Sequence, residues 1–274
     1  MADALAKVSR GAAVAPVRTH IDLGDGNGTY LISGALNDLD LLTVKVISVR
    51  PRNPERGLAR LEGFLTAFEA STGRPLATLD APAATETRTS ACSAVSLRLM
   101  ARPEATVLTV FGTGPQAEAH VRALTSERPF DEVRTVRHGD GAEMRADALR
   151  GAGVIVTATN STTPLFAAAD VNAGAHVICV GSGSAGAVEV EPDLLARAAA
   201  IRVDHRQSCL EEAGEVVRAV REGLIEAASV HELGEVVLSR VAGRRSPDEI
   251  TLYKSVGNGT QDAALAALLL GRWP

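Results

Sequence analysis

The stretch from Thr106 to Leu124 constrains this chain more than any other. Thr106 to Phe111 are β-branched or apolar and read as a strand buried on both faces. Gly112, Thr113, Gly114, Pro115, Gln116 and Ala117 follow at once, and an amphipathic helix begins within them. A dinucleotide pyrophosphate needs that order of strand, glycine turn and helix. Gly112 permits a tight turn, Gly114 lets backbone approach the phosphates, and small Ala117 lets helix and strand pack closely. The free N–H groups and positive end of the helix then face the anion. A lone G-x-G-x-x-A also describes a plain glycine-rich strand-to-helix turn, and its placement between a buried strand and a helix argues for the dinucleotide. A second match, Gly181 to Gly186, follows the apolar run His176 to Val180 but leads into Ala187 to Pro192, where no helix starts cleanly. It reads as a loop at a strand end that covers a site.

Before this stretch the pattern is short and strand-like. Val17–Leu23, Thr29–Ser33 and Leu42–Val49 are separated by Gly24 to Gly28 and Asn37 to Asp40, and a strand pair is expected over Gly63 to Leu79. A helix is predicted over Thr85 to Met100, capped by Thr85 and ended before Pro103. After Pro103 strands and helices alternate: strands at 106–111, 132–136, 153–158, 175–180 and 200–204, with helices at 115–126, 143–150, 168–172 and 192–199 between them. This predicts a parallel, doubly wound, Rossmann-like sheet with right-handed crossovers. Helices are expected at 211–222 and 232–239, a last strand at 249–255, and an apolar helix at 260–270 that returns to the N-terminal part. The fold expected is α/β: a central nucleotide-binding domain over 103–255 and an α+β domain built from both termini, 1–102 plus 256–274.

Charge and cysteine use exclude several classes. Net charge is −5 with no basic block, which argues against nucleic acid. Cys92, Cys179 and Cys209 are scattered and odd in number, which suits a reducing compartment. No apolar run is long enough for a membrane span and no signal-like segment opens the chain, so a soluble cytoplasmic protein is expected. Asp204, His205 and Cys209 lack a fourth partner at metal-ligand spacing. His120 reads as a partly exposed helix residue, and G-x-S-x-G is absent.

Several stretches taken together resemble the ornithine cyclodeaminase and mu-crystallin family over nearly the whole chain. They are Val44 to Asn53, Thr72 to Leu76, Thr85 to Ala91, Gly112 to Ala117, Thr157 to Thr159, and Ser255 to Gly257 followed by Asp262. The resemblance implies a homodimer whose terminal segments form the dimerisation and substrate domain around a central nicotinamide-binding domain. It places Arg18, Lys45 and Arg88 around a substrate carboxylate, with Lys45 also reaching the oxygen or nitrogen on the reacting carbon. The chemistry of the residues agrees, since two guanidinium groups suit a bidentate clamp and a lysine of lowered pKa beside them serves as a proton donor. Each of these cations taken singly also fits a solvated surface charge. Lys45 interrupts an apolar strand and Arg88 an Ala/Ser/Thr helix, and both are expected to face inward. Residues expected against the cofactor are Thr89, Gly112, Thr113, Gly114, Pro115, Gln116, Ala117, Arg137, Thr157, Ala158, Thr159, Gly181, Ser182, Ser255 and Val256.

Three departures from the family matter. The aspartate that handles protons in cyclodeaminases falls on Gly183, and the glutamate that receives the distal amine of ornithine falls on Tyr30, which is therefore expected in the substrate set. Between the second and third strands of the nucleotide-binding domain the family has a helix and an extra strand; here Arg137 to Ala142 and one short helix stand instead. The chain also begins late compared with the family, as a misassigned or trimmed start would produce. For the cofactor, Arg137 stands at the end of the second strand where an acid would bind the ribose 2′-hydroxyl. NADP(H) is thus favoured, with Asp140 keeping NAD(H) open and His138 a second cation only when protonated. The leading expectation is an NAD(P)-dependent oxidoreductase moving hydride to or from the α-carbon of a small amino, imino or 2-oxo acid. The alternatives are an ammonia-releasing cyclodeaminase, with Glu189 or Asp22 as proton acceptor, and a catalytically silent NADPH-binding protein.

Overall fold

The structure, a computed structural model, describes residues 1–181 and 183–273. The chain divides into two compact units, one of residues 3–88 with 257–273 and the other Thr89–Val256. The division runs through the helix Ala81–Met100, whose first two turns belong to the first unit and whose remainder belongs to the second.

The first unit is an antiparallel sheet of β1 (Ala13–Val14), β2 (Thr19–Asp22), β3 (Gly28–Leu36), β4 (Leu41–Val49), β5 (Leu61–Glu69) and β6 (Pro75–Asp80). The path is β1-β3-β4-β5-β6, with β2 also paired to β3. Alternation along β4 buries Leu41, Thr43, Lys45 and Ile47 and leaves Leu42, Val44 and Val46 on the other face half-buried. The C-terminal helix Gly259–Leu269 covers the buried face, packing Ala263, Ala264, Ala266 and Ala267 against Leu36, Leu41 and Ala67. Small residues make this approach feasible: a Cβ on Gly34 would stand 2.2 Å from the Gly259 carbonyl carbon. Asn258 Oδ1 caps the helix by accepting from the Thr260 N–H at 3.0 Å. The helix at Ala81 starts one turn earlier than predicted, because Asp80 Oδ1 accepts the Ala83 N–H at 2.8 Å. Thr85 therefore lies in its second turn, with its hydroxyl facing Lys45.

The second unit is a wholly parallel sheet of β7 (Val107–Phe111), β8 (Glu132–Val136), β9 (Val154–Thr157), β10 (His176–Cys179), β11 (Ala198–Val203), β12 (Val230–Glu232) and β13 (Ile250–Lys254). Strand order is β12-β11-β13-β10-β9-β7-β8. The sheet grows from β7 to β8 on one side and to β9 on the other, so the switch point where ligands enter doubly wound sheets lies between β7 and β9. The short connection after Val136 leaves β8 as an edge strand whose first four residues are exposed or half-buried. β12 carries no clear sequence signal because it has only three residues.

Several local expectations are corrected. Ala168–Asp170 is one 3-10 turn, 206–221 is two helices broken at Ala213, and the helix after Pro192 stops at Arg197 where β11 begins. His120 is fully buried, not half-exposed: one ring nitrogen lies 2.9 Å from Ser93 Oγ and the other 2.7 Å from the Gln116 carbonyl. His176 bonds Ser96 and Thr251 in the same way, and burial pushes its pKa down to about 3, so it is neutral. These serines draw the C-terminal part of the long helix into the second unit. Among the described residues no helix is long and apolar enough to cross a membrane.

Candidate active site

In the parallel-sheet unit the glycine turn follows β7 directly. Gly112 has φ +121°, and a Cβ there would stand 2.6 Å from the Ala158 carbonyl oxygen at the end of β9. Gly114 is the N-cap of the helix Pro115–Glu127, and nothing lies within 4 Å of the Cβ it lacks, which leaves the helix N-terminus approachable. Pro115 at the first helical position gives up an N–H that has no partner inside the helix. Ala117 is buried and Thr113 exposed. The orphan amides, the open face of Gly114 and the positive helix end form an anion cradle, so these residues fit a dinucleotide pyrophosphate.

The other predicted cofactor residues gather at strand ends of the same sheet. Arg137 follows β8 with its side chain exposed, while its backbone N–H donates to Asp140 Oδ2 at 2.7 Å. Thr157 ends β9, and Ala158 N–H donates to the Phe111 carbonyl. Glu189, fully buried, accepts from Thr157 Oγ1, from the Thr159 N–H and hydroxyl, and from the Gly181 N–H at 2.7–2.9 Å. Its oxygens are therefore committed, and burial raises its pKa against the pull of Lys254. Ser255 Oγ donates to Asp204 Oδ2 at 2.8 Å and Val256 N–H to Oδ1 at 3.3 Å. Thr89 is buried in the long helix. Ser182 lies outside the described residues; Gly183 is half-buried.

In the antiparallel unit a buried cationic cluster sits over β4. Lys45, 1% exposed, places Nζ 2.9 and 2.8 Å from the two carboxylate oxygens of Asp262 and 3.1 Å from Thr85 Oγ1. Arg88 donates to Gln261 Oε1 at 2.8 Å and holds Nε 3.5 Å from Asp262 Oδ1. Gly257, at φ +83°, makes room for it, since a Cβ there would stand 2.4 Å from the guanidinium. Arg18 lies over the Tyr30 ring at 4.6 Å, and Tyr30 stacks on His20 with ring centres 4.4 Å apart. Desolvation brings the Lys45 pKa down to about 8; Asp262 opposes the shift, while Arg88 and Arg18 add to it. Among the described residues two buried cations share the Asp262 carboxylate, an arrangement that suits an anionic ligand.

Asp262 stands out in the sequence without a role attached to it. The available signal is a carboxylate in the first turn of an otherwise apolar helix, but its partner lies 217 residues away. Because Asp262 offsets both buried cations, Asp262→Asn is expected to lower the unfolding free energy by about 3–5 kcal/mol, read from urea denaturation. A loss below about 1 kcal/mol would show that the cations find another counter-charge.

Comparison with known proteins identifies the family. The model of the ornithine cyclodeaminase/mu-crystallin family matches residues 1–144 and 136–274. The chain is 33% identical over 287 aligned positions to a Delta(1)-pyrroline-2-carboxylate reductase of Bacillus cereus, covering 97% of this chain and 88% of the relative. It is 30% identical to the ketimine reductase mu-crystallin of Mus musculus, over 98% of this chain and 90% of that one. The Thermococcus litoralis Delta(1)-pyrroline-2-carboxylate reductase, solved with NADH and L-proline, superposes with a TM-score of 0.91 at 26% identity, over 99% of this chain and 90% of that chain. The chain belongs to the ornithine cyclodeaminase/mu-crystallin family.

Proposed function

We propose that this protein is a nicotinamide-dependent reductase of small cyclic imines that carry a carboxylate beside the C=N bond. The observation that carries this reading is that the buried Lys45 and Arg88 share the Asp262 carboxylate, with the lysine held at a pKa of about 8. Arg88 and Arg18 supply the carboxylate clamp. Lys45, as the ammonium, donates a hydrogen bond and then a proton to the imine nitrogen. Bound reduced nicotinamide supplies the hydride that the imine carbon receives. Fixing the carboxylate fixes the carbon beside it, which is where orientation contributes to rate. The names of the relatives, pyrroline-carboxylate and ketimine reductases, support the same substrate class.

Tyr30, under Arg18 and stacked on His20, offers no anion to a distal amine, and Gly183 offers no carboxylate for a second proton transfer. Both features favour imine reduction over ornithine cyclisation, as does Glu189, whose oxygens are held by their donors. On the dinucleotide, Arg137 supports NADPH: its side chain is exposed at the end of β8, while Asp140 is engaged at the Arg137 amide. Titration following nicotinamide fluorescence should give tighter binding of NADPH than of NADH, and Arg137→Ala should remove that preference. Tighter NADH binding by the native protein would assign the ribose to Asp140. Lys45→Ala should bind the dinucleotide as before and lose turnover on cyclic imino acids; retained turnover would sink the proton-donor role.

The direction of the Lys45 shift sets a pH dependence. The acid form is needed for reduction and is present below about pH 8, so kcat/KM should fall as pH rises through that value. The substrate carboxylate adds a negative charge beside the ammonium, so the fall in kcat should lie at higher pH than the fall in kcat/KM. Coincident breaks would mean that the carboxylate binds elsewhere.

A homodimer is part of this reading. On the outer face of the antiparallel sheet Leu31, Val46 and Phe64 stand in one cross-strand row, with Leu31 and Phe64 exposed. A second copy is the proposed occupant of that row. Light scattering should return twice the 28.5 kDa chain mass, and Phe64→Glu should halve it. A native monomer would remove the claim. Three buried free cysteines fit a cytoplasmic location.

A further inference from the structure

The carboxyl ends of three neighbouring strands are tied to one buried pair of carboxylates. Glu189 Oε1 accepts from the Thr159 N–H at 2.7 Å and from its hydroxyl at 2.8 Å. Oε2 accepts from Thr157 Oγ1 at 2.9 Å and from the Gly181 N–H at 2.8 Å. The turn after β9 and the turn after β10 thus share a single side chain. Glu189 is itself held from behind: its N–H donates to Glu215 Oε1 at 2.8 Å, and Glu215 Oε2 lies 3.2 Å from Lys254 Nζ on β13. All three charged residues are 0–1% exposed.

Burying two carboxylates around one ammonium is costly, and packing alone would be met more cheaply by apolar side chains. What the carboxylate uniquely provides is an acceptor on each oxygen. Backbone N–H groups can only donate, so Thr159 and Gly181 require acceptors at both Oε positions. A glutamine of the same shape would turn an NH₂ toward one of them. The tolerance is small as well, because a Cβ on Gly181 would stand 2.2 Å from the Thr159 carbonyl oxygen and 2.4 Å from Glu189 Oε1.

We propose that Glu189 is a positioning residue for the dinucleotide: by clamping Thr159 to Gly181 it sets the two turns that flank the bound cofactor, without touching the cofactor itself. This rests on the dinucleotide reading above. A control stands two residues on. Glu191 Oε2 accepts the Ala168 N–H at 2.6 Å, a comparable carboxylate-to-amide bond that leads to a 3-10 turn rather than to the strand ends.

The test titrates native protein, Glu189→Gln, Glu191→Gln and Thr157→Val with NADPH and NADH, alongside thermal unfolding and steady-state kinetics. Glu189→Gln should weaken dinucleotide binding by about tenfold or more, the loss of one charge-assisted hydrogen bond expressed as an affinity ratio. It should raise KM for the dinucleotide to match while KM for the imino acid stays within about twofold. Glu191→Gln should lower the melting temperature yet bind the dinucleotide like the native protein, a split that a merely structural role would not produce. Thr157→Val keeps volume and both backbone bonds; its expected weakening of about threefold keeps the proposal open to refutation if Glu189→Gln does not fold. Native-like affinity in Glu189→Gln or in Thr157→Val, or equal weakening in Glu191→Gln, overturns the proposal while the dinucleotide reading stands. Native protein that binds neither dinucleotide overturns the reading, and the proposal with it.

Discussion

The contact between Lys45 and Asp262 is the constraint on which the antiparallel unit depends. A lysine placed at an inward position of β4 cannot be left without a counter-charge, and its neighbours Ile32 and Leu65 on the adjoining strands offer none. The carboxylate arrives instead on the C-terminal helix, and it can arrive only because Gly34 and Gly259 let helix and strand come within side-chain-free distance. The pair therefore sets which terminal segment closes the sheet and how closely it does so. Arg88 shares the same carboxylate, so two buried cations among the described residues meet at Asp262.

The parallel sheet solves a different problem by similar means. A cradle for a diphosphate must leave backbone amides exposed, which is unstable unless the surrounding turns are fixed from behind. Gly112 resting on the Ala158 carbonyl, Asp204 holding Ser255 and Val256, and Glu189 holding Thr157, Thr159 and Gly181 do this with buried polar contacts rather than with side chains in the cradle itself. The approachable surface stays open and its support lies one layer below.

How much can be read from the residues follows from how local each signal is. The buried strand from Thr106 and the glycine turn are contiguous, so the β7 turn, the alternation after Pro103 and the parallel sheet are legible. The alternation of VKVISV allows either face for Lys45, because both faces of β4 carry apolar residues; the inward side is decided by the C-terminal helix that brings Asp262. Contacts across long separations are not legible: Asp262 for Lys45, Ser93 for His120, Glu189 for Gly181. His120 is misplaced for that reason, since a helical histidine looks exposed until a serine from another helix supplies its partner. The start of the long helix is missed more narrowly, because Thr85 and Asp80 are both acceptable caps and only the backbone decides between them.

The short connection after Val136 has a cost at the rim of the parallel sheet. With no further strand beyond it among the described residues, β8 presents an open row of peptide groups, and Val133 on that strand is 40% exposed. An open edge of this kind is a template for pairing with any extended chain. Glu132 and Arg134, bonded to each other at 2.7 Å on either side of that valine, put a charge of each sign along the rim. A foreign strand would have to strip water from both before it could extend the sheet, so this ion pair guards the edge against pairing.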